Sequence, residues 1–129
     1  MFIKLILDEL YRVFGANITI YRENVKEGFE EPSFFVPSPT LMSKSELGNK
    51  YKTNYSYQII YFPHADHIND DIEDASMLFN YGFLNLGNYT VHNKNMTQSD
   101  NALVFTFDLY GLVIPKEDDI KMESLQDRS

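Results

Sequence analysis

Near the start of the chain, apolar positions recur at helical spacing. Ile3, Ile6, Leu7, Leu10, Val13 and Phe14 fall on one side, Lys4, Asp8, Glu9 and Arg12 mostly turn away, and Gly15 supplies a stop. The spacing predicts an amphipathic helix that needs a surface to cover. The period then changes. Asn17 to Tyr21 alternates and is β-branched, which predicts a strand, and the charged stretch from Arg22 to Glu31, with Gly28 inside it, reads as a connector or an exposed hairpin arm. From Pro32 to Met42 the chain looks extended, but Pro37 and Pro39 cannot donate ladder hydrogen bonds. Such a strand belongs at a sheet edge or is broken by a bulge.

A polar loop is expected over Ser43 to Asn49, and after it comes the strongest β pattern in the chain. Tyr51, Thr53, Tyr55, Tyr57, Ile59 and Tyr61 share one face, while Lys52, Asn54, Ser56 and Gln58 share the other until Ile60 and Phe62. One end of this strand should be buried on both sides and the other half wet. Pro63 ends it. The acids from Asp66 to Asp74 surround the start of a second helix, where negative charge suits the helix dipole. Its predicted stripe is Ile72, Ala75, Phe79 and Phe83, widened by Ile68, Leu78 and Leu86 and closed by Gly87-Asn88. Tyr89 to Met96 and Ala102 to Ile114 read as two strands joined by a polar turn around Gln98 to Asn101. The second of these puts Leu103, Phe105, Phe107 and Leu109 on one face and Val104, Thr106, Asp108 and Tyr110 on the other.

The order predicts an α+β domain, a mainly antiparallel sheet of about five strands with two helices packed on one face. The domain is expected over residues 1–115, with 116–129 as a polar tail of five acids and three bases. At 129 residues the chain is long enough for a core without staples, and 43% apolar content excludes wholesale disorder. The absence of cysteine removes disulfide scaffolds, thiol enzymes and cysteine-ligated metal sites. Nineteen acids against eleven Lys and Arg give a net charge of −8, which argues against nucleic-acid or anionic-membrane binding. Lys4 and Asp8 interrupt the N-terminal apolar run, so no signal peptide or membrane span is expected and the protein should be soluble.

Few groups could carry chemistry. His64 and His67 flank Asp66 with Asp70 and Asp71 behind, but such residues are common at a strand-to-helix turn, and a catalytic metal would need a further positioned ligand. The scattered glycines make no phosphate loop or dinucleotide fingerprint, and there is no Gly-x-Ser-x-Gly elbow. Glu30-Glu31 and Asp118-Asp119 read as exposed charge, and Asp108 as a polar position on the wet face of its strand. No catalytic residue, cofactor or metal is expected. The remaining signal is aromatic: ten Phe and nine Tyr exceed what one sparse helical layer hides, and such side chains suit protein interfaces.

The stretch Val25-Lys-Glu-Gly-Phe-Glu-Glu-Pro-Ser-Phe-Phe-Val, then Leu47-Gly-Asn-Lys-Tyr and Tyr57-Gln-Ile-Ile-Tyr-Phe-Pro, resembles the small tail terminator proteins of phages and prophages of Gram-positive bacteria. The resemblance runs from the first helix to about Ile114 and rests on structural residues. It implies a non-enzymatic homohexameric ring that caps the tail tube, stops its polymerisation and joins the tail to the head connector. Its implied partners are the tube protein, connector or neck proteins, and sheath subunits if the tail is contractile. The protein would be assembled in the host cytoplasm and reside in the virion. Candidate subunit or tube contacts are Phe29, Glu30, Glu31, Pro32, Phe34, Phe35, Tyr51, Tyr55, Tyr57 and Tyr61, the first group on an arm over Gly28 to Thr40. Six copies would carry roughly −48, so an acidic bore would pass DNA without holding it, whereas a bore lined with Lys44, Lys50, Lys52 and Lys94 would not. A neighbouring head–tail joining or neck subunit is the alternative, with a ligand-binding domain or an enzyme using Asp108 or the histidine turn as a further one.

Overall fold

The computed structural model describes residues 2–24, 28–46 and 50–115. The expected tail over 116–129 and the Leu47 to Asn49 part of the expected loop lie outside the described residues. The chain forms α1 (Ile3–Phe14), β1 (Ile20–Tyr21), β2 (Ser33–Phe35), β3 (Thr40–Glu46), β4 (Lys50–Phe62), α2 (Ile68–Tyr81), β5 (Asn85–Leu86), β6 (Tyr89–Thr90), β7 (His92–Ser99) and β8 (Ala102–Pro115). The main sheet has six strands in the order β1-β2-β4-β8-β7, with β3 also on β4, and β5 and β6 make a separate small hairpin. Among the described residues, only the β1–β2 pair in the main sheet is parallel. The expected α+β class holds, with one strand more than the pattern suggested.

The extra strand comes from the prolines. Pro37 and Pro39 split the predicted extended stretch into β2 and β3, which pair with successive parts of one edge of β4. Phe35 faces Ile60 and Thr40 faces Ser56, so five steps along one chain match four along the other. β3 then continues to Glu46, where the sequence suggested a polar loop, because alternate Ser and Lys side chains are tolerated on an edge strand open to water. At the other extreme, the strand predicted from Asn17 shrinks to Ile20–Tyr21. Thr19 and Tyr21 lend their carbonyls to the N–H groups of Phe34 and Val36, at 2.9 Å each.

Both helices cover the face of the sheet bearing Tyr57, Ile59, Phe105 and Phe107. Ile6 and Leu10 from α1 meet Ile72, Ala75 and Phe79 from α2 in a single core. Phe2 is buried at the head of α1, edge-on to Tyr55 at 4.9 Å and to Tyr89 at 4.7 Å. Gly15 ends α1 with a positive φ of 107° and returns its N–H to the Tyr11 carbonyl.

α2 stops at Tyr81, five residues before the predicted end. Gly82 lies so close to α1 that an added Cβ would be 2.7 Å from a methyl of Val13, and Phe83 takes a left-handed φ of 46°. Phe83 and Leu86 are nevertheless buried, which is why they extend the apolar stripe in the sequence. Leu78, expected to widen that stripe, is exposed instead. The turn is held by charge. Glu9 accepts the Phe83 N–H at 3.0 Å and both Arg12 donors, while Lys94 donates to the Asn80 carbonyl at 2.9 Å at the negative end of the helix.

Two bulges shape the long strands. In β8, Gly111 and Leu112 together oppose Thr53, and in β7 the extra residue falls at Asn93 and Lys94, with Asn93 left-handed at φ 55°. The β7–β8 turn is made by Asp100 and Asn101, both with positive φ, as a two-residue hairpin requires.

Candidate functional site

Five of the ten residues singled out in the sequence converge on one groove. It holds about 380 Å³ between the end of α1 and the start of β2, and it is lined by Phe14, Asn17, Ile18, Thr19, Glu30, Glu31, Pro32, Phe34 and Tyr61. The floor is aromatic: Phe14 and Tyr61 lie 4.8 Å and 4.9 Å from Phe34. Glu30 and Glu31 supply the only charged groups of this lining. Burial pushes the Tyr61 hydroxyl up from its ordinary pKa, with Asp71 and Asp74 adding to the effect, so Tyr61 stays neutral. An acidic rim over an aromatic floor suits a partner with apolar and basic groups.

Phe29 is placed on the opposite side. It stacks on Phe62 at 4.7 Å and meets Phe35 and Tyr21 at 5.1 Å each, covering one corner of the sheet face that carries no helix. The Glu30 N–H points to the Tyr21 hydroxyl at 3.4 Å, and Arg22 donates to the Val36 carbonyl at 2.8 Å. The segment therefore lies against the sheet. Phe34 and Tyr57 belong to the subunit's own core, and burial raises the Tyr57 pKa although the Phe2 backbone opposes it. Tyr55 is half-buried against Phe2. The backbone of Tyr51 pairs with Ser45 and Ile114, and its side chain lies outside the described residues.

The groups weighed for chemistry are engaged structurally. Asp71 accepts the His64 N–H at 3.0 Å and contacts His67 Nδ1 at 3.0 Å, and the two imidazoles stack at 4.7 Å. No cluster of three or more His, Cys, Asp or Glu able to hold a metal occurs among the described residues. Asp108 accepts from Ser56 Oγ and from Asn93 Nδ2, each at 2.8 Å, and so ties β4, β8 and the β7 bulge together on the open face. No helix among the described residues is long and apolar enough to cross a membrane.

Two exposed features escaped the sequence reading. On α2, Asp70, Asp74, Met77 and Tyr81 follow one another at steps of four, three and four, all exposed, with Met77 at 54% and Tyr81 at 72%. On β3, Leu41 and Met42 are exposed at 56% and 64%. The α2 stripe could have been found as the face opposite Ile72, Ala75 and Phe79, whereas Met42 became visible only once the proline break had set its side of the sheet.

A family model described as phage tail terminator protein matches residues 1–121, from α1 through the whole of β8. No match was found among curated proteins.

Proposed function

Because the chain belongs to the phage tail terminator family, we propose that it forms a six-fold ring that caps the tail tube, ends tube polymerisation and receives the head connector. The family match carries this reading, since it takes in every element of the fold. Such a role makes the protein a structural component of the virion tail. The exposed large apolar side chains on α2 and β3, Met77, Tyr81, Leu41 and Met42, support assembly, because such side chains are covered when another protein sits on them. A closed ring of identical subunits needs two different complementary patches on each. The net charge of −8 supports a bore that repels DNA while allowing passage.

The test is to delete the coding segment from a phage that carries it and examine lysates by electron microscopy. Tails of uncontrolled length, unattached to heads, are expected, with normal length restored by adding the chain back. Tails of normal length that fail to join heads would assign the neck position instead. Normal, joined particles would overturn both.

A further inference from the structure

Beyond the helix layer, β3 and the first part of β4 form an arm whose charge opposes that of the molecule. Between Thr40 and Ser56 it carries Lys44, Lys50 and Lys52 against Glu46 alone, in a chain of net charge −8. Register pairs Met42 with Asn54, Lys44 with Lys52 and Glu46 with Lys50, which puts Met42 and Lys52 on one face. This is the face away from the helices, and on it Lys52 Nζ stands 4.3 Å from the centre of the Tyr110 ring. The arm thus reads apolar near its base and basic toward its tip.

α2 presents the complementary order. Asp70, Asp71, Glu73 and Asp74 fill its first half with no Lys or Arg in the helix, and Met77 and Tyr81 follow on the exposed stripe. Asp70 to Tyr81 spans about 16 Å at helical rise. Met42 to Glu46 spans about 14 Å at strand rise. The two strips match in length, and each runs from apolar to charged with opposite sign. They also face opposite sides of the sheet, so a subunit cannot close the contact on itself.

We propose that the β3–β4 arm of one subunit docks on α2 of the next, Met42 against Met77 and Tyr81 and the arm lysines against Asp70 and Asp74. The occupant of each surface is a second copy of the chain, and the contact is heterologous, as a ring requires. This inference rests on the ring reading above and names its interface. It also takes Lys44, Lys50 and Lys52 into the subunit contacts and away from the bore, while Lys94 caps its own α2.

The absence of cysteine makes the test clean. The full chain carrying Met42→Cys together with Tyr81→Cys, oxidised at a concentration where native mass spectrometry shows the ring, should give a ladder of linked chains up to six. Each single variant should give no species above two chains. Lys44→Glu should weaken assembly by about tenfold or more, and adding Asp74→Lys should restore it. Rings that form with no ladder, and that ignore Lys44→Glu, would overturn the docking and leave the ring intact. Rings that form normally from Lys44→Glu but no longer cap tubes would give the arm to the tube protein and overturn it equally. A chain that stays monomeric at every concentration and on tail tubes would overturn the ring reading, and the docking with it.

Discussion

β4 and β8 run together through two different environments. Where Tyr57, Ile59, Phe105 and Phe107 lie under α1 and α2, that face of the strands is sealed, and their aromatic rings lie 4.5 Å to 6 Å from Phe79, Phe83 and each other. From Ser56 toward Lys50 the same ladder continues with β3 beside it, but exposed Leu41 and Met42 and, past the Gly111 bulge, a run of lysines replace the core. Backbone pairing between β4 and β8 runs through both halves, broken only by the bulge at Thr53. The difference is whether a second layer comes from the chain itself, and the half without one is the half we assign to a neighbouring subunit.

That contrast can be broken by mutation, beginning inside. Phe105 lies 4.5 Å from Phe79 and is fully buried, so Phe105→Ala should cost about 3–5 kcal/mol through lost burial and a cavity. Urea unfolding followed by tyrosine fluorescence reads this directly, since the chain has no Trp. At the junction, Gly111 sits where an added Cβ would be 2.8 Å from the Tyr55 ring. Gly111→Ala should cost about 1–2 kcal/mol, because the ring or the bulge must move.

Glu9 joins the two helices, and its carboxyl is held below the ordinary carboxylate range, chiefly by the Arg12 hydrogen bonds and further by the Phe83 N–H. Glu9→Gln should cost about 0.5–1 kcal/mol at pH 7, the difference between charged and neutral bonds. The lowered pKa sets the sign. The advantage of Glu9 over Gln is complete above the ordinary carboxylate range and fades as pH falls through the lower folded-state value, so the two proteins should converge once that carboxyl is protonated. The smallest effect on folding is expected in the arm. Met42→Ser should change subunit stability by less than about 0.5 kcal/mol while weakening assembly, a split that no core position should show.

The fold was legible where burial imposed a period. Leu103, Phe105, Phe107 and Leu109 alternate because one face is covered, and all four are buried as the pattern required. The polar turn at Asp100 and Asn101 was equally readable from its chemistry. Ends and edges were not. Phe83 is apolar because it enters the core, not because it is helical, so the pattern ran past the true stop at Tyr81. The groove at Glu30, Glu31, Pro32, Phe34 and Tyr61 unites residues from three segments, and no spacing in the chain shows that they meet. The family resemblance named the tail terminators correctly and stopped near Ile114, whereas the match extends to residue 121.

The proline break between β2 and β3 has a consequence for how such chains can vary. One extra residue there decides which side of the sheet each later side chain occupies: Phe34 faces the helices, while Met42, also an even-numbered position, faces away. The length of this link acts as a parity bit. Removing or adding one residue between Val36 and Pro39 would turn Met42 toward the helix side and present Leu41 in its place. A change of two residues would preserve the arm's outward pattern. Related chains that keep this mode of assembly should therefore differ here in steps of two.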